Sequence, residues 1–534
     1  MSEPVRGDPH SLEDKTACTA EIDYGIPFPL VMCGTAASFS VRLSYNRAMS
    51  TATMPLESLQ SPLRFLQFMG CDVLPDWLLE YGSWWEKEGQ AISDAVDRAG
   101  TPWLQMFDRS GARVDEILFS PEYWRMLKRG YRAGPLWRVF EEKALFPAGL
   151  VIYLTSFYDP GLACPYTVSL GTLAPLMKYG ETSLQQRFLP KLLQKDDAVW
   201  QGATWMTEIK GGSDLGSNVA TVGRLVEGHW RLTGDKYFAS NAGAEAAVVA
   251  ARPEGASPGV RGLALFLVPR CRQDGQLNYF IRRLKDKIAT RSVPTGEIEL
   301  RESEAWLLGQ PEHGVYLILE VLNLSRVANA LGSVALAQRA AADALSFAQN
   351  RIVFGKPLIE QALMRRQFDD RFAQLRAASK LAWKALELAN EVWQQKPPYS
   401  ERYQLFRLVT HLAKYWTAEL AVQTAKWAME VHGGLGTLAE YRVERWLREA
   451  MILAIWEGPS HRQILDGLEL LERKQTHYVL LQSLCAHTTP SAVQTMQEKV
   501  DRHLALPREQ REAGAEAIFM ELATFTAAAL SQDA

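Results

Sequence analysis

The stretch AIWEGPSHRQ, residues 454–463, sets a single acid, Glu457, between an apolar run and a glycine–proline break. Gly458 and Pro459 fit the start of a helix, because proline is favoured at the first helical position. The dipole of that helix holds a nearby carboxylate in its charged form, while Ile455 and Trp456 push it toward the neutral acid. A base balanced between these influences suits the removal of a proton from carbon. A structural acid in a helix-cap region is the plain alternative.

Four other segments carry groups that suit a flat ring bearing phosphates. WMTEIKGGSDLGSN, residues 205–218, combines Met206, Thr207 and Ser213 with two adjacent glycines. It offers N–H and hydroxyl donors to such a ring, or it is a turn between domains. GDKYFASN, residues 234–241, places Phe238 before Ser240, an aromatic face with a hydroxyl that suits a flavin. A Phe in a strand also reads as core. NRIVFGKPL, residues 350–358, interrupts long helices with Arg351 and Phe354. A guanidinium recognises phosphate well, and an exposed Arg in a helix–helix loop is the alternative. MEVHGGLG, residues 429–436, ends a helix in glycines. Their N–H groups suit a pyrophosphate, and a helix C-cap also explains at least one of them. No GxGxxG follows a strand, which argues against a Rossmann site.

The elements that must position these groups change texture twice. The first 200 or so residues read mostly as helices and loops, among them TSLQQRFLPKLLQ with Thr182 as an expected cap. From about Trp200, β-rich runs follow one another without intervening helices, and Val226-Glu227-Gly228 reads as a hairpin turn. That excludes a doubly wound sheet. After EHGVY the chain is helical again. Arg326–Gln349 is rich in Ala and Leu, Glu360–Gln395 stops at KPPYS, and Tyr403–His432 puts Leu405, Leu408, Leu412 and Tyr415 on one face. The expected domains are a helical one over 1–199, a β-domain over 200–305, a helical bundle over 306–475 and a helical appendage over 476–534.

Composition is that of a globular protein. Of 534 residues 47% are apolar and 22% charged, and the net charge of −3 argues against a generally basic, nucleic-acid-binding chain. Six scattered cysteines show no CxxC and no metal-ligand spacing with histidine, so no metal site is expected and reduced thiols in the cytoplasm are. The N-terminal MSEPVRGDPHSLEDK has no apolar core for a signal peptide. No uninterrupted apolar run approaches the ~20 residues of a membrane span.

In this order, TEIKGGSD, RLKDKIATRS, VFGKPLIEQ, MEVHGG and IWEG resemble the acyl-CoA dehydrogenase family over roughly residues 130–475. The closest likeness is to its branch around the alkylation-response protein AidB, which FDRSGARVDEILFSPEYW, residues 107–124, also resembles. The resemblance implies an α+β multidomain fold: an N-terminal helical domain, a middle antiparallel β-barrel domain and a C-terminal helical bundle. It implies FAD, held between these domains in a homotetramer. By motif position, Met206, Thr207 and Ser213 would line the isoalloxazine, with Phe238 and Ser240 against its other side. Arg351 and Phe354 would reach the FAD of a neighbouring subunit, and Glu430 and Gly434 would meet that same cofactor. Glu457 falls on the family's catalytic base, and Arg326 and Trp456 on the substrate side.

The implied reaction is α,β-desaturation of an acyl thioester, with Glu457 taking the α-proton and flavin N5 the β-hydride. Several positions depart from the family pattern. Pro459 replaces a threonine after "EG", His461 a glutamine, Trp456 a tyrosine and Glu430 a glutamine, and Ser325 stands where some members carry an alternative base. Two other functions remain open. One is an AidB-like flavoprotein of the DNA alkylation response with little turnover. The other is a flavin oxidase on the same scaffold. Against DNA, the tail Thr476–Ala534 has four Lys/Arg and seven acids, where phosphate binding needs clustered cations.

Overall fold

A computed structural model describes residues 56–531 except Asp72. The N-terminal stretch read for a leader, with Cys18 and Cys33, lies outside the described residues. The first domain is helical, as its periodicity predicts, and includes Pro121–Ala133, Phe146–Tyr158 and Ala163–Tyr179 (α1). Two expectations need correction. Residues 103–118 form a β-hairpin, β1 (Trp103–Phe107) and β2 (Arg113–Leu118). Its turn is made by Asp108, whose Oδ1 accepts from the N–H groups of Ser110 and Ala112, and by Gly111 at φ 83°. Thr182 does not cap its helix: Glu181 holds the N-cap position, and no side chain caps it.

The β-domain runs from β3 (Gly202–Trp205) through β4 (Val222–Val226), β5 (His229–Ser240), β6 (Ala246–Pro253), β7 (Ala264–Pro269) and β8 (Phe280–Leu284) to β9 (Thr295–Leu308). The strand order β3-β6-β4-β5-β9-β7 is closed by pairing of β6 with β7, and β8 adds to β9. This is a barrel, but not a purely antiparallel one, because β6 pairs in parallel with both β3 and β4. The β4–β5 turn is the expected hairpin, with Glu227 at φ 50° and Gly228 at φ 80°, the left-handed pair that matches strand twist. A buried core of Trp205, Val249, Phe266 and Ile298 fills the barrel.

The helical bundle is built on α2 (Gly314–Asn350), α3 (Ala362–Val392) and α4 (Glu401–His432). Ser400 caps α4 by accepting from the Tyr403 N–H. Leu405, Leu408, Leu412 and Tyr415 are all buried, as their spacing predicts. Among the described residues, α2 alone is long and apolar enough to cross a membrane by length and composition, and 83% of its most apolar window is buried in protein. Two helices, α5 (Val443–Ile455) and α6 (Ser460–Lys474), carry the candidate base between them. The C-terminal appendage is not peripheral. Its last helix, α7 (Ala515–Ser531), buries Phe519, Leu522 and Ala527 in the same core as α3, α4 and α6.

Candidate active site

Glu457 sits in the short turn between α5 and α6, at φ 60°, followed by Gly458 at φ 98°. Two consecutive left-handed residues end α5 and turn the chain into α6. A non-glycine residue at positive φ is disfavoured, so its surroundings must hold it. Three side chains do so through backbone carbonyls. Arg326 of α2 donates Nε–H to the Glu457 carbonyl at 3.0 Å. Gln463 of α6 donates Nε2–H to the carbonyls of Glu457 and Gly458, both at 2.9 Å. Lys414 of α4, fully buried, donates Nζ–H to the carbonyls of Ala454 at 2.9 Å and Gly458 at 2.8 Å. The orphan carbonyls at the end of α5 are thus met by cations and an amide from three other helices.

These donors are themselves oriented. Arg326 also donates to Asn323 Oδ1 and to Asp466, both at 3.2 Å. Gln463 Oε1 lies 2.9 Å from His411 Nδ1. An amide oxygen only accepts, so His411 carries its proton on Nδ1. Burial, aided by Arg326, pushes the His411 pKa down to about 3, which keeps it neutral.

Glu457 titrates near neutrality. Burial pushes its pKa up to about 7, against the opposing pull of Arg326 and Lys414. Desolvation outweighs the α6 dipole that the sequence invokes. Burial also lowers Lys414 to about 7, with Arg326 adding to the shift and Glu457 opposing it. The two groups interact, so they titrate as a pair. Pro459 occupies the N-cap position of α6 rather than its first turn, and no side-chain cap bond forms there. A threonine at that position would supply one. His461 is exposed.

The β-domain faces this turn. Trp456 packs against Cys164 of α1, Val168 and Val293. The Cys164 thiol, pushed up to about 12 by burial, senses both Glu457 and Ser240. Ser240 closes β5, and its carbonyl accepts from Trp205 Nε1 at 3.0 Å. The Thr207 carbonyl accepts from the Tyr237 N–H at 3.0 Å, which ties the TEIKGG loop to the same strand. That loop is anchored by Glu208, whose carboxylate accepts from Lys236 Nζ and Thr221 Oγ1, both at 2.6 Å, and from the Ala220 N–H at 2.7 Å. Burial opposes the Glu208 charge, but the Lys236 ammonium and these bonds hold its carboxyl below the usual range.

The structure therefore brings Glu457, Trp456 and Arg326 together with Ser240, and puts Met206 and Thr207 on the adjoining loop. Met206 is buried, Ser213 is exposed, and Phe238 is 56% exposed. It does not bring Arg351, Phe354, Glu430 or Gly434 to the same place. Arg351 directly follows the last residue of α2, 25 positions after Arg326 and so roughly 37 Å of helix away. Phe354, at the tip of the two-residue-stranded hairpin Ile352–Pro357, is 98% exposed. Glu430 pairs with Lys426 on the exposed face of α4, so its charge is matched. Nothing lies within 4 Å of a Cβ built on Gly433 or Gly434. Sequence reasoning missed Lys414, Gln463, His411 and Glu208. A lysine in the apolar run LVTHLAKYW is the one local signal for the first.

Comparison with known proteins agrees with this geometry. Residues 312–469 match the model for the acyl-CoA dehydrogenase C-terminal domain and residues 203–303 its middle domain, and residues 63–197 match the adaptive response protein AidB N-terminal domain. The AidB protein of Escherichia coli (strain K12) is 31% identical over 398 residues, 71% of each chain. The chain belongs to the acyl-CoA dehydrogenase family.

Members of this family are FAD-dependent oxidoreductases. Acyl-CoA dehydrogenase family member 11 of Caenorhabditis elegans is 29% identical over 416 residues, 73% of this chain and 66% of its own. Among solved structures, Bd2924 in its apo form superposes with a TM-score of 0.75 at 27% identity, covering 90% of this chain and 96% of that one. The Caenorhabditis elegans ACDH-11 complex with C11-CoA shares the fold, with a TM-score of 0.79 at 23% identity over 94% and 90% of the two chains. The residues present fit the family's cofactor. They offer hydroxyls at Thr207 and Ser240, an exposed aromatic at Phe238, and open glycine backbone at Gly212, where a Cβ would meet only Thr207 Cγ2 at 3.9 Å.

Proposed function

We propose that this chain binds FAD and catalyses α,β-desaturation of an acyl thioester, with Glu457 as the base. What carries the reading is the Glu457 turn. A carboxylate with a pKa near 7 sits in a left-handed turn held by Arg326, Lys414 and Gln463, beside Trp456, which packs on the same Cys164 that Ser240 adjoins.

Met206, Thr207, Ser213, Phe238 and Ser240 would hold the isoalloxazine. Arg351, Phe354, Glu430 and Gly434 would serve the cofactor of a neighbouring subunit in a homotetramer. FAD, when bound, would supply the hydride acceptor that the β-carbon needs. Glu457, ionised above pH 7, takes the α-proton and becomes the neutral acid, and the Cα–H and Cβ–H bonds give way to a Cα=Cβ double bond. A carboxylate alone is too weak a base for such a proton, so donors at the thioester oxygen must stabilise the developing enolate. The fixed turn keeps the carboxylate at one angle to the α-carbon, so little reorganisation accompanies proton transfer. Arg326 and Trp456 would bound the substrate side.

A second reading, an AidB-like flavoprotein with little turnover, is supported by the match of residues 63–197 to the AidB N-terminal domain. Anaerobic mixing with a panel of acyl-CoAs separates the two. Bleaching of the flavin band by one of them supports desaturation. A yellow protein that none of them bleaches supports the second reading, and a folded protein that refuses FAD removes both.

A further inference from the structure

Behind Ser240 lies a lysine that neither the motif reading nor the proposed reaction uses. Lys287 sits in the loop after β8, and its Nζ donates to the Val293 carbonyl at 3.0 Å and to Thr295 Oγ1 at 2.9 Å. Thr295, buried at the start of β9, has its hydroxyl 3.4 Å from Ser240 Oγ. Among the described residues, Lys287 and Ser240 are the only hydrogen-bond partners of that hydroxyl. The titratable groups that face Lys287 are Glu449 of α5, which accepts from the Thr290 N–H, and the Cys164 thiol, which burial keeps neutral. Burial lowers the Lys287 pKa to about 8, which leaves it an ammonium at neutral pH.

The direction of this relay follows from donor counting. An ammonium has three donors and no acceptor. Thr295 Oγ1 must therefore accept from Lys287, and because Ser240 Oγ is the one acceptor within its reach among the described residues, its single buried hydrogen goes to Ser240. Ser240 Oγ accepts it, and the Ser240 hydrogen is free to point outward. Without the ammonium either hydroxyl can donate to the other, and Ser240 can turn a lone pair outward instead. We propose that Lys287 is a positioning residue that fixes this polarity, so that Ser240 presents a hydrogen to the flavin edge rather than a lone pair. The inference rests on the assignment of Ser240 to the flavin made above. A donor at that edge stabilises the electron density the ring gains on reduction, so it raises the flavin reduction potential and tightens binding. The Cys164 thiol beside Ser240 is a weak acceptor and does not compete with a ring nitrogen or carbonyl for that hydrogen.

The test is a thermodynamic cycle read in FAD affinity and flavin potential. Wild type, Lys287→Met, Thr295→Val, Thr295→Ser, Ser240→Ala and the Lys287→Met/Ser240→Ala double variant are loaded with FAD. Lys287→Met and Thr295→Val are expected to lower the potential by about 30 mV, tenfold in a two-electron equilibrium, and to weaken FAD binding severalfold. Thr295→Ser, which keeps the hydroxyl, is expected to stay within twofold of wild type. In the Ser240→Ala background, Lys287→Met should add nothing, because the lysine acts only through that hydroxyl. A full further drop in the double variant would overturn the relay, as would unchanged potential and affinity in both Lys287→Met and Thr295→Val. If Lys287→Met fails to fold, the threonine pair decides alone. A wild type that binds no FAD takes down the proposed function and the relay together. A yellow wild type with inert variants takes down only the relay.

Discussion

Two regions along the same long helix behave differently. Near the middle of α2, Arg326 reaches the Glu457 carbonyl, and Lys414 and Gln463 complete a cage around one turn. At its far end, Arg351 and Phe354 leave the protein surface on a short hairpin, and Phe354 touches almost nothing, being 98% exposed. The first region is preorganised within one chain. The second has its chemistry but no enclosure. Phe354 holds its ring in water at φ 50°, and the homotetramer proposed above would cover that ring.

The sharpest way to test the contrast is to remove the base. Glu457→Gln is expected to keep FAD while losing at least 1,000-fold in the rate of anaerobic flavin bleaching, within the range of general-base effects. Full bleaching by this variant would place the base elsewhere. The pH profile is the next largest effect. Because the Glu457 pKa is raised to about 7, its carboxylate is protonated in acid. The bleaching rate is expected to fall about 50-fold from pH 7 to pH 5, as the ionised fraction drops from about one half to about one hundredth and approaches a factor of ten per unit only well below the pKa. A flat profile would mean that Glu457 ionises far below this range.

Lys414→Met probes the cage itself. It leaves the Ala454 carbonyl without its side-chain donor and the Gly458 carbonyl with Gln463 alone, which is expected to cost about 1–3 kcal/mol in urea unfolding. It also removes a cation that favours ionised Glu457, so the acid limb of the profile moves to higher pH. An unchanged limb would show that the two groups do not couple. The smallest effect belongs to the open end. Phe354→Ser is expected to change stability by less than about 0.5 kcal/mol, as for an exposed side chain, yet to lower the mass seen in light scattering and to speed FAD loss. If neither assembly nor FAD retention responds, this end serves no neighbour.

The fold was largely legible because its signals are local. The Ala- and Leu-rich run of α2, the proline stop after α3, and the Glu227-Gly228 turn each speak within a few residues. The hairpin of residues 103–118 was not, because its strands are short and its turn depends on the Asp108 side chain reaching back to the backbone. The parallel pairings of β6 were not, because register between strands distant in sequence leaves no local periodicity. At the site, Glu457 and Ser240 were legible as residue types in motifs. Lys414, His411 and Gln463 were not, since a lysine among leucines shows no sign of which carbonyl it will meet.

By itself, the sequence determined which residue types suit the proposed chemistry, the order of the helical, β and helical domains and the family to which they belong. Each of these is written in residue types and their neighbours along the chain. Only the tertiary structure decided the balance at Glu457. Its pKa depends on how much water the folded chain excludes and on two cations from α2 and α4, and its conformation depends on carbonyls capped from α2, α4 and α6. Desolvation and long-range hydrogen bonds arise when distant segments meet, so no stretch of sequence holds them.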